Sequence, residues 1–594
     1  MRELVLTGCK DFWPKDEGSA LFLGPWCFSY NHKYKFWDQK NFRLAPSPWN
    51  GKKDILDSYL YISSLCDRIT PRLSDIMNRL HSIDRSERFW KVYLTVWLMR
   101  WLSNSYNRFR RLENLENLKE KMTVKIISPK TDADKDFRNF WQFDIQSHHY
   151  NLSLMSDIIR IAEFDFLFCE EIEKPIGEIG RGESLMSRPR GMINQIMGFF
   201  RRSKIFINDY LSGVSLLGSD AYLGSIYGMS SFTKLWLQFS SKPGLKFVKR
   251  KDNKLKALKC RRDDLAKYHL DFGAKNKFER IVESILLDHM PDDILTIYEN
   301  DDKFQSNIKT WIGNDIFISA KSAFRIADIV ENGGRWISVQ HGGGYGQLLS
   351  IANSKIEYEI GDGFVTWGWK DKPLHLTRFC PMPSPLLSNL KTNKETETSL
   401  VFVGTAPPAY PGQFSSYFLP EQIIDYFDNK LTFLKTLKKS IISHVKYRPY
   451  FEDFGIGEKE YVSRIIPSSQ LLTGVKLTSV FSRSRLVVID HLTTSFLEAL
   501  TINVPTILFC DPAHFIFSDS AAPFFENLRR AGVLYDDPVS AANKVNEVWA
   551  DPQSWWTGPD IQIARRVFCS QFACSSRNWR KEWLEFLKTQ QNKR

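Results

Sequence analysis

Four stretches of this chain carry side chains suited to handling a phosphate-bearing group. The first, Arg335 to Gln347, reads RWISVQHGGGYGQ: an apolar lead-in, then His341, then Gly342, Gly343, Gly344 and Gly346. Glycine at that density forfeits side-chain contacts and adds chain entropy, so it marks a tight turn or a close approach of backbone. A histidine before bare amides is suited to act as base or hydrogen-bond donor toward a reacting or phosphate-bearing group docked there. A structural turn with a capping histidine is the alternative. The G-x-G-x-G spacing lacks the acidic residue expected about 20 positions on in a dinucleotide fingerprint.

The second stretch is Val487 to Phe509, VVIDHLTTSFLEALTINVPTILF. An apolar run ends at Asp490, and Thr493, Thr494 and Ser495 form a hydroxyl-rich turn opening a helix. The free amides and positive end of a helix N-terminus attract anions. Glu498, one turn in, reaches for a ribose hydroxyl. An ordinary N-cap box explains the same residues without a ligand. The third stretch, HVKYRPYFEDFG from His444, sets Lys446, Arg448 and Tyr450 alternately along one strand face. Two cations on one face can clamp a diphosphate, or a carboxylate plus a phosphate; a solvated strand edge has the same pattern. The fourth, SKIEYEIGDGFVTWGW from Ser354, supplies Glu357, Glu359 and Asp362 just after the glycine loop. One of them can orient His341 or act as the base itself; plain surface charge is the alternative.

The elements that must position these residues read as an α/β protein. RELVLTG, LFLGPWCF, TVKIIS, FDFLFC and KIFIND look like strands, separated by helix-length segments; Lys52 to Lys121 is helical in periodicity. DDILTIY and DIFISA lead on to RWISVQ. The stretch Cys380 to Ser399 holds three prolines and then a polar run, as a linker does. Alternation then restarts with LVFVGT and continues through SHVKYRPY, RLVVID and VPTILFCD. The expected division is an acceptor-side α/β domain with helical inserts over 1–385, a nucleotide-sugar-binding α/β domain over 396–560, and a helical segment over 561–594. Two Rossmann-like domains so arranged face each other across a cleft at the carboxyl ends of their strands.

Composition sets limits. With 594 residues, 43% of them hydrophobic and 25% charged, the chain is too long for one core. No apolar run reaches the roughly 18–20 residues that span a bilayer, and the apolar part of MRELVLTGCKDF is too short for a signal peptide. A cytoplasmic protein is expected. Nine single cysteines without a CxxC pair suit reduced thiols and imply no structural zinc. A net charge of +13 suits phosphate-bearing partners or an anionic membrane surface. No nucleic-acid signature accompanies it.

QHGGGYG, the acidic segment ending in TWGW, and IDHLTTSFLEALTINVPTILF together resemble a family of transferases from bacterial O-antigen and capsule loci, often found with nonulosonic-acid genes. More remotely the layout is similar to capsular Kdo transferases and teichoic-acid polymerases, GT-B enzymes with a His-Gly loop in the first domain and a nucleotide site in the second. The close resemblance covers roughly Ile316 to Asp511. Related CMP-sugar transferases carry a His-Pro pair in the donor domain, where this chain reads Tyr447-Arg448-Pro449.

The resemblance and the residues together imply a metal-independent GT-B-like glycosyltransferase of surface-polysaccharide biosynthesis, with no cofactor. Its donor would be a nucleotide sugar, a CMP-linked nonulosonic acid foremost, and its acceptor a glycan or lipid-linked saccharide. The donor would lie against Gly342–Gly344, Lys446, Arg448, Asp490, Thr493–Ser495 and Glu498, with His341, Glu357 and Asp362 at the chemistry. No Asp-x-Asp stands at a strand end to hold a metal. A CDP-polyol phosphotransferase or nucleotide-sugar epimerase on the same scaffold, and a non-catalytic polysaccharide assembly subunit, are the competing readings. PRGMINQIMGFFRRSKIF, Pro189 to Phe206, mixes Met, Ile and Phe with arginines, as an interfacial helix on the inner membrane would.

Overall fold

Buried β-branched and aromatic runs build three sheets of five strands, every pairing within them parallel. This computed structural model describes residues 1–128, 144–172, 214–217, 220–242, 246–249, 257–258, 262–298, 308–370, 378–391, 398–415 and 419–591. Parallel strands need a crossover between them, and here helices supply it and cover both faces.

In the first sheet the strand order is Arg43–Leu44, Leu21–Phe22, Arg2–Val5, Met122–Ile127, Leu167–Ile172. The chain reverses direction of travel at Arg2–Val5, so a crevice is expected beyond the carboxyl ends of Arg2–Val5 and Met122–Ile127. Protein fills it. The imidazole of His148 accepts from the Gly8 N–H (3.2 Å) and meets the Tyr410 hydroxyl (2.7 Å), with Tyr410 stacked on Trp26. Burial drops His148 to about 4, so the ring is neutral. Tyr410 belongs to the loop that follows the first strand of the third sheet.

The middle sheet runs Phe379–Pro381, Gly363–Thr366, Arg335–Val339, Thr310–Ile312, Ala221–Leu223. The third runs Val445–Arg448, Leu400–Val403, Leu486–Ile489, Thr506–Phe509, Leu534–Tyr535. Its reversal lies between Leu400–Val403 and Leu486–Ile489, which makes the turn at Thr493 the natural ligand position. The stretch 1–385 holds two of these sheets, the first and the middle, and the carboxyl ends of the middle and third sheets meet where Gly343 lies on the Thr493–Thr494 turn. Helix Glu87–Asn114 binds the layers, touching helix His148–Ala162 on the first sheet and Ala320–Glu331 and Lys355–Ile360 around the middle one. Its apolar residues point in all directions because it is covered on nearly every side.

The last helix, Trp579–Gln591, follows the elements of the third sheet and returns to the middle sheet. There Trp579, Trp583 and Leu587 pack on Leu223, Ile312 and Ile337, and the Trp583 indole donates to the Pro383 carbonyl (2.9 Å).

Two sequence expectations change. DIFISA is not a strand: Asp315 accepts from the Ser225 N–H (2.7 Å) and the Trp311 indole (3.0 Å), which fixes a 3-10 turn over Asp315–Phe317, and the strand is Thr310–Ile312. The proline-rich stretch from Cys380 begins inside an edge strand, where a missing N–H is tolerated. KIFIND and the basic segment Pro189 to Phe206 lie outside the described residues. No helix among the described residues is long and apolar enough to cross a membrane.

Trp583→Ala should cost about 3–5 kcal/mol, the usual loss for a buried tryptophan, read as a lowered urea midpoint. An unchanged midpoint would mean that the terminal helix does not hold the middle sheet.

Candidate active site

Strand Arg335–Val339 is buried to its end and delivers Gln340 and His341 to the carboxyl edge of the middle sheet. Gln340 locks the exit: its side-chain oxygen accepts from the Trp367 N–H and the Trp369 indole (both 2.8 Å), and its nitrogen donates to the Gly342 carbonyl (2.9 Å). His341 then projects into a polar nest with 36% of its side chain exposed. Behind it lies Glu357, fully buried, accepting from the Ser338 hydroxyl (3.0 Å) and the Tyr345 hydroxyl (2.7 Å) and standing 3.5 Å from His341 Nδ1. Glu357 lies on Lys355–Ile360, a single π-helical turn, a local irregularity often found at functional sites.

Two neighbours pull the ring in opposite directions. The Asn314 carbonyl is fixed by the Val339 N–H (2.8 Å), so its amide nitrogen faces His341 Nδ1 at 2.6 Å and favours the neutral ring with its proton on Nε2. Glu357 favours the cation. Burial, the largest influence, pushes the ring down, yet the Glu357 charge and hydrogen bond and the Val339 carbonyl outweigh it and hold His341 above its ordinary 6.5. A full charge outweighs a neutral dipole at similar range. In both states Nε2 carries a hydrogen.

The glycine loop explains itself by what lies against it. A Cβ on Gly343 would stand 2.5 Å from the Thr493 carbonyl carbon and oxygen, and the Gly343 N–H donates to the Thr494 hydroxyl (2.9 Å). Gly346, at φ +70°, has the Trp369 ring where a side chain would go. The loop is also stitched to the segment after strand Thr506–Phe509 of the third sheet: Leu349 N–H donates to the Ile516 carbonyl (2.9 Å) and Ser518 N–H to the Gln347 carbonyl (2.9 Å).

On the facing side, helix Thr494–Ile502 begins without a side-chain cap, and Thr493 and Ser495 are half-buried beside its free amides. The Thr494 hydroxyl serves the glycine loop. Glu498 sits on the same helix, nearly buried, raised to about 7 by burial while Lys476 pulls it down. Tyr227, from the loop after Ala221–Leu223, is close enough to feel its charge. Lys446 and Arg448 share the sheet face that this helix covers, since they pair with Val401 and Val403, which in turn pair with Val487 and Ile489. Arg448 ends its strand, donates to the Pro449 carbonyl (2.7 Å) and keeps a buried Nε with no partner among the described residues; burial lowers it and Glu458 raises it. Lys446 lies two residues further from the edge.

Two expected site residues are elsewhere. Asp362 precedes strand Gly363–Thr366 and so lies at the amino end of the middle sheet, opposite His341; it accepts from the Trp336 N–H (2.8 Å) and pairs with Arg88 (3.1 Å). Asp490 does end its strand, but Lys430 holds it at 2.5 Å, with Tyr426 (2.7 Å) and His491 (3.1 Å) on its other oxygen, sealed from any ligand. The same ammonium is 3.3 Å from Glu458. One cation serves two carboxyls: despite burial, which works upward, Lys430 keeps Asp490 below its ordinary value, and burial pushes Glu458 up. Gly404 beside them has no room for a Cβ.

The sequence reading also missed Asn314, Tyr345, Lys430, Lys476, Tyr227 and Arg100. Tyr345 stood in plain view within QHGGGYG. Arg100, from helix Glu87–Asn114, is close enough for its charge to act on His341, and Gln413 of the loop after Leu400–Val403, turned oxygen-inward, accepts from its Nε at 2.7 Å. Among the described residues no group of three His, Cys, Asp or Glu side chains could hold a metal ion.

Residues 2–587 match the sequence family described as LIC12162 family transferase. The chain belongs to this family. No curated protein sequence matches it. Among solved structures it is similar to an MnaA–UDP co-structure of S. aureus, at 10% identity and TM-score 0.31, over 53% of this chain and 86% of that one. It is also similar to a mutant of Thermobaculum terrenum O-GlcNAc transferase, at 11% identity and TM-score 0.29, over 90% and 99%.

For this family member the nest around His341 makes a titration testable. By NMR the imidazole should titrate above 6.5, and Glu357→Gln, which removes the charge favouring the cation, should move its midpoint down. An unmoved midpoint would show that Glu357 does not set the ring's charge.

Proposed function

We propose that the protein is a metal-independent, GT-B-like glycosyltransferase of bacterial surface-polysaccharide biosynthesis, in O-antigen or capsule assembly. It transfers a nonulosonic acid from a CMP donor to a glycan or lipid-linked acceptor on the cytoplasmic face of the inner membrane. The observation that carries this reading is the meeting of His341's loop with the uncapped start of helix Thr494–Ile502, in a member of a transferase family.

In this reading the donor phosphate lies against the amides and hydroxyls at Thr493 and Ser495, with the unpartnered edge of Arg448 on its oxygens. Lys446 adds positive charge behind it. Gly342, Gly343 and Gly344 let the two domains close on the phosphate without side chains between them. Glu498, at about 7, is able both to donate to and accept from ribose hydroxyls. Glycosyl transfer passes through an oxocarbenium-like state, and negative charge builds on the leaving phosphate. His341 Nε2, which carries a hydrogen in either protonation state, is the donor aimed at that charge, and the Glu357 carboxylate favours the ring's cationic form. Glu357 is thus a positioning residue. The sugar's own carboxylate takes up positive charge that a monophosphate leaves over, which favours CMP over a diphosphate nucleotide; a lone helix start with Thr and Ser is sparse for two phosphates.

His341→Ala should lower kcat about 10²–10⁴-fold with an unchanged Tm, and His341→Gln, which retains an N–H, should recover part of the loss. Equal loss in both variants would assign His341 to proton abstraction; wild-type kcat in either would remove it from the mechanism.

CMP should raise the Tm more than UDP or GDP at equal concentration, and Arg448→Ala should weaken CMP-sugar binding more than CMP binding. Stronger protection by UDP would point instead to an ordinary hexosyltransferase.

A further inference from the structure

A cavity of about 430 Å³ lies outside the cleft, between the 3-10 segment Phe36–Asn41 and helices Ile423–Thr436 and Glu458–Val462. Small-molecule sites span about 300–1,000 Å³, so it has room for a ligand. Helix Ile423–Thr436 separates it from the cleft. Tyr426 and Lys430 reach Asp490 from one side of that helix, and Asp428, Thr432 and Lys435 line the cavity from the opposite side, as about 3.6 residues per turn dictates.

The cavity has a rigid aromatic wall. Trp37 lines it half-buried, and its ring is held from two directions. Tyr461, buried, meets it edge-on at 5.0 Å, and a Cβ on Gly457 would stand 3.1 Å from it. A fixed, partly wet ring offers apolar area to a ligand at little cost in side-chain entropy. The C–H face of a pyranose ring matches such a wall and carries hydroxyls around its rim. Asn41 and Thr432, which line the same space, supply an amide and a hydroxyl for them.

Charge narrows the ligand further. The carboxylates of the cavity are already engaged: Asp38 accepts from the Lys35 N–H (2.8 Å), and Asp428 pairs with Lys40 (2.7 Å) and accepts from the Tyr461 hydroxyl. Burial works upward on Asp428, yet Lys40 and Tyr461 hold it below its ordinary value, so it stays charged and matched. Lys435 and Arg464 are exposed, and neither has an ion pair among the described residues; Arg464 rests on the Tyr461 ring, 4.8 Å from its centre. Their charge is left over for an anion brought by the ligand. We propose that this cavity is a second binding site, outside the cleft, for an anionic saccharide, with a sugar ring on Trp37 and the acidic group on Lys435 and Arg464. The site does not depend on which donor the cleft takes.

The test is isothermal titration calorimetry of the full chain with tetramers of N-acetylneuraminic acid and of galacturonic acid, with glucose 1-phosphate, and with neutral maltotetraose. At least one acidic saccharide should bind, more weakly as salt is raised, and the tetramers against glucose 1-phosphate show whether carboxylate or phosphate supplies the charge. Trp37→Ala should weaken that binding about tenfold, and the double variant Lys435→Gln, Arg464→Gln should do the same independently. The double variant changes exposed positions only, so it keeps its Tm and carries the test if Trp37→Ala loses stability. His341→Ala should bind the saccharide like wild type. Acidic probes that fail to bind, maltotetraose that binds as tightly as they do, or a double variant that binds like wild type would overturn the proposal. So would loss of binding in His341→Ala, which would place the saccharide in the cleft. Failure of CMP to protect the protein would count against the cleft reading and leave these outcomes unchanged.

Discussion

The rest of the site depends on one close approach: the backbone at Gly343 lies on the Thr493–Thr494 turn with no space for even a methyl group. That contact joins the ends of two strands from different sheets. It brings the partly exposed His341 imidazole to the start of a helix whose free amides have no side-chain cap. A residue with a Cβ at position 343 would have to push the domains apart by a distance comparable to a bond length. Glycine at this position is a geometric requirement of the interface, quite apart from turn conformation; Gly344 and Gly346, with positive φ, answer for the turn itself.

Around this contact the charges are arranged so that few are wasted on each other in the cleft. Glu357 and Asp490 are both buried carboxylates at strand or helix ends, yet one leans on an exposed imidazole and the other on a buried ammonium. Asp490 with Lys430, Tyr426 and Glu458 stiffens the root of the Thr493 turn. Breaking such a network by removing one partner leaves a buried charge uncompensated, which costs about 3–5 kcal/mol. Glu357 instead transmits its charge outward through His341. Burial alone would have made the imidazole harder to protonate; the carboxylate reverses the sign.

Much of this was legible in the sequence, and the failures have physical causes. Residue type and spacing were enough for the His341 loop, the Thr493–Ser495 helix start and the Lys446–Arg448 strand face, because each is a local pattern. Glu357 was one of three acidic candidates, and its place behind His341 is set by contacts with Ser338 and Tyr345 that no local pattern shows. Asp362 was misplaced because an acidic residue before a strand lies at the sheet's amino end, a distinction the chain order itself contains. Asp490 was misread for a different reason: Lys430, 60 residues earlier, claims it, and no local pattern announces that pairing. The first sheet was hidden as a separate sheet because strand–helix alternation reveals parallel pairing but not which strands share a sheet. Its own crevice gave no warning of being filled, since Tyr410 comes from the far domain.

The most direct measurement is a crystal structure of the protein with CMP. The account predicts the phosphate within hydrogen-bond reach of Thr493, Ser495 and the first amides of the helix, Arg448 on its oxygens, and His341 Nε2 facing the oxygen that bears the sugar. A nucleotide bound with its phosphate away from the Gly343–Thr494 contact would contradict it.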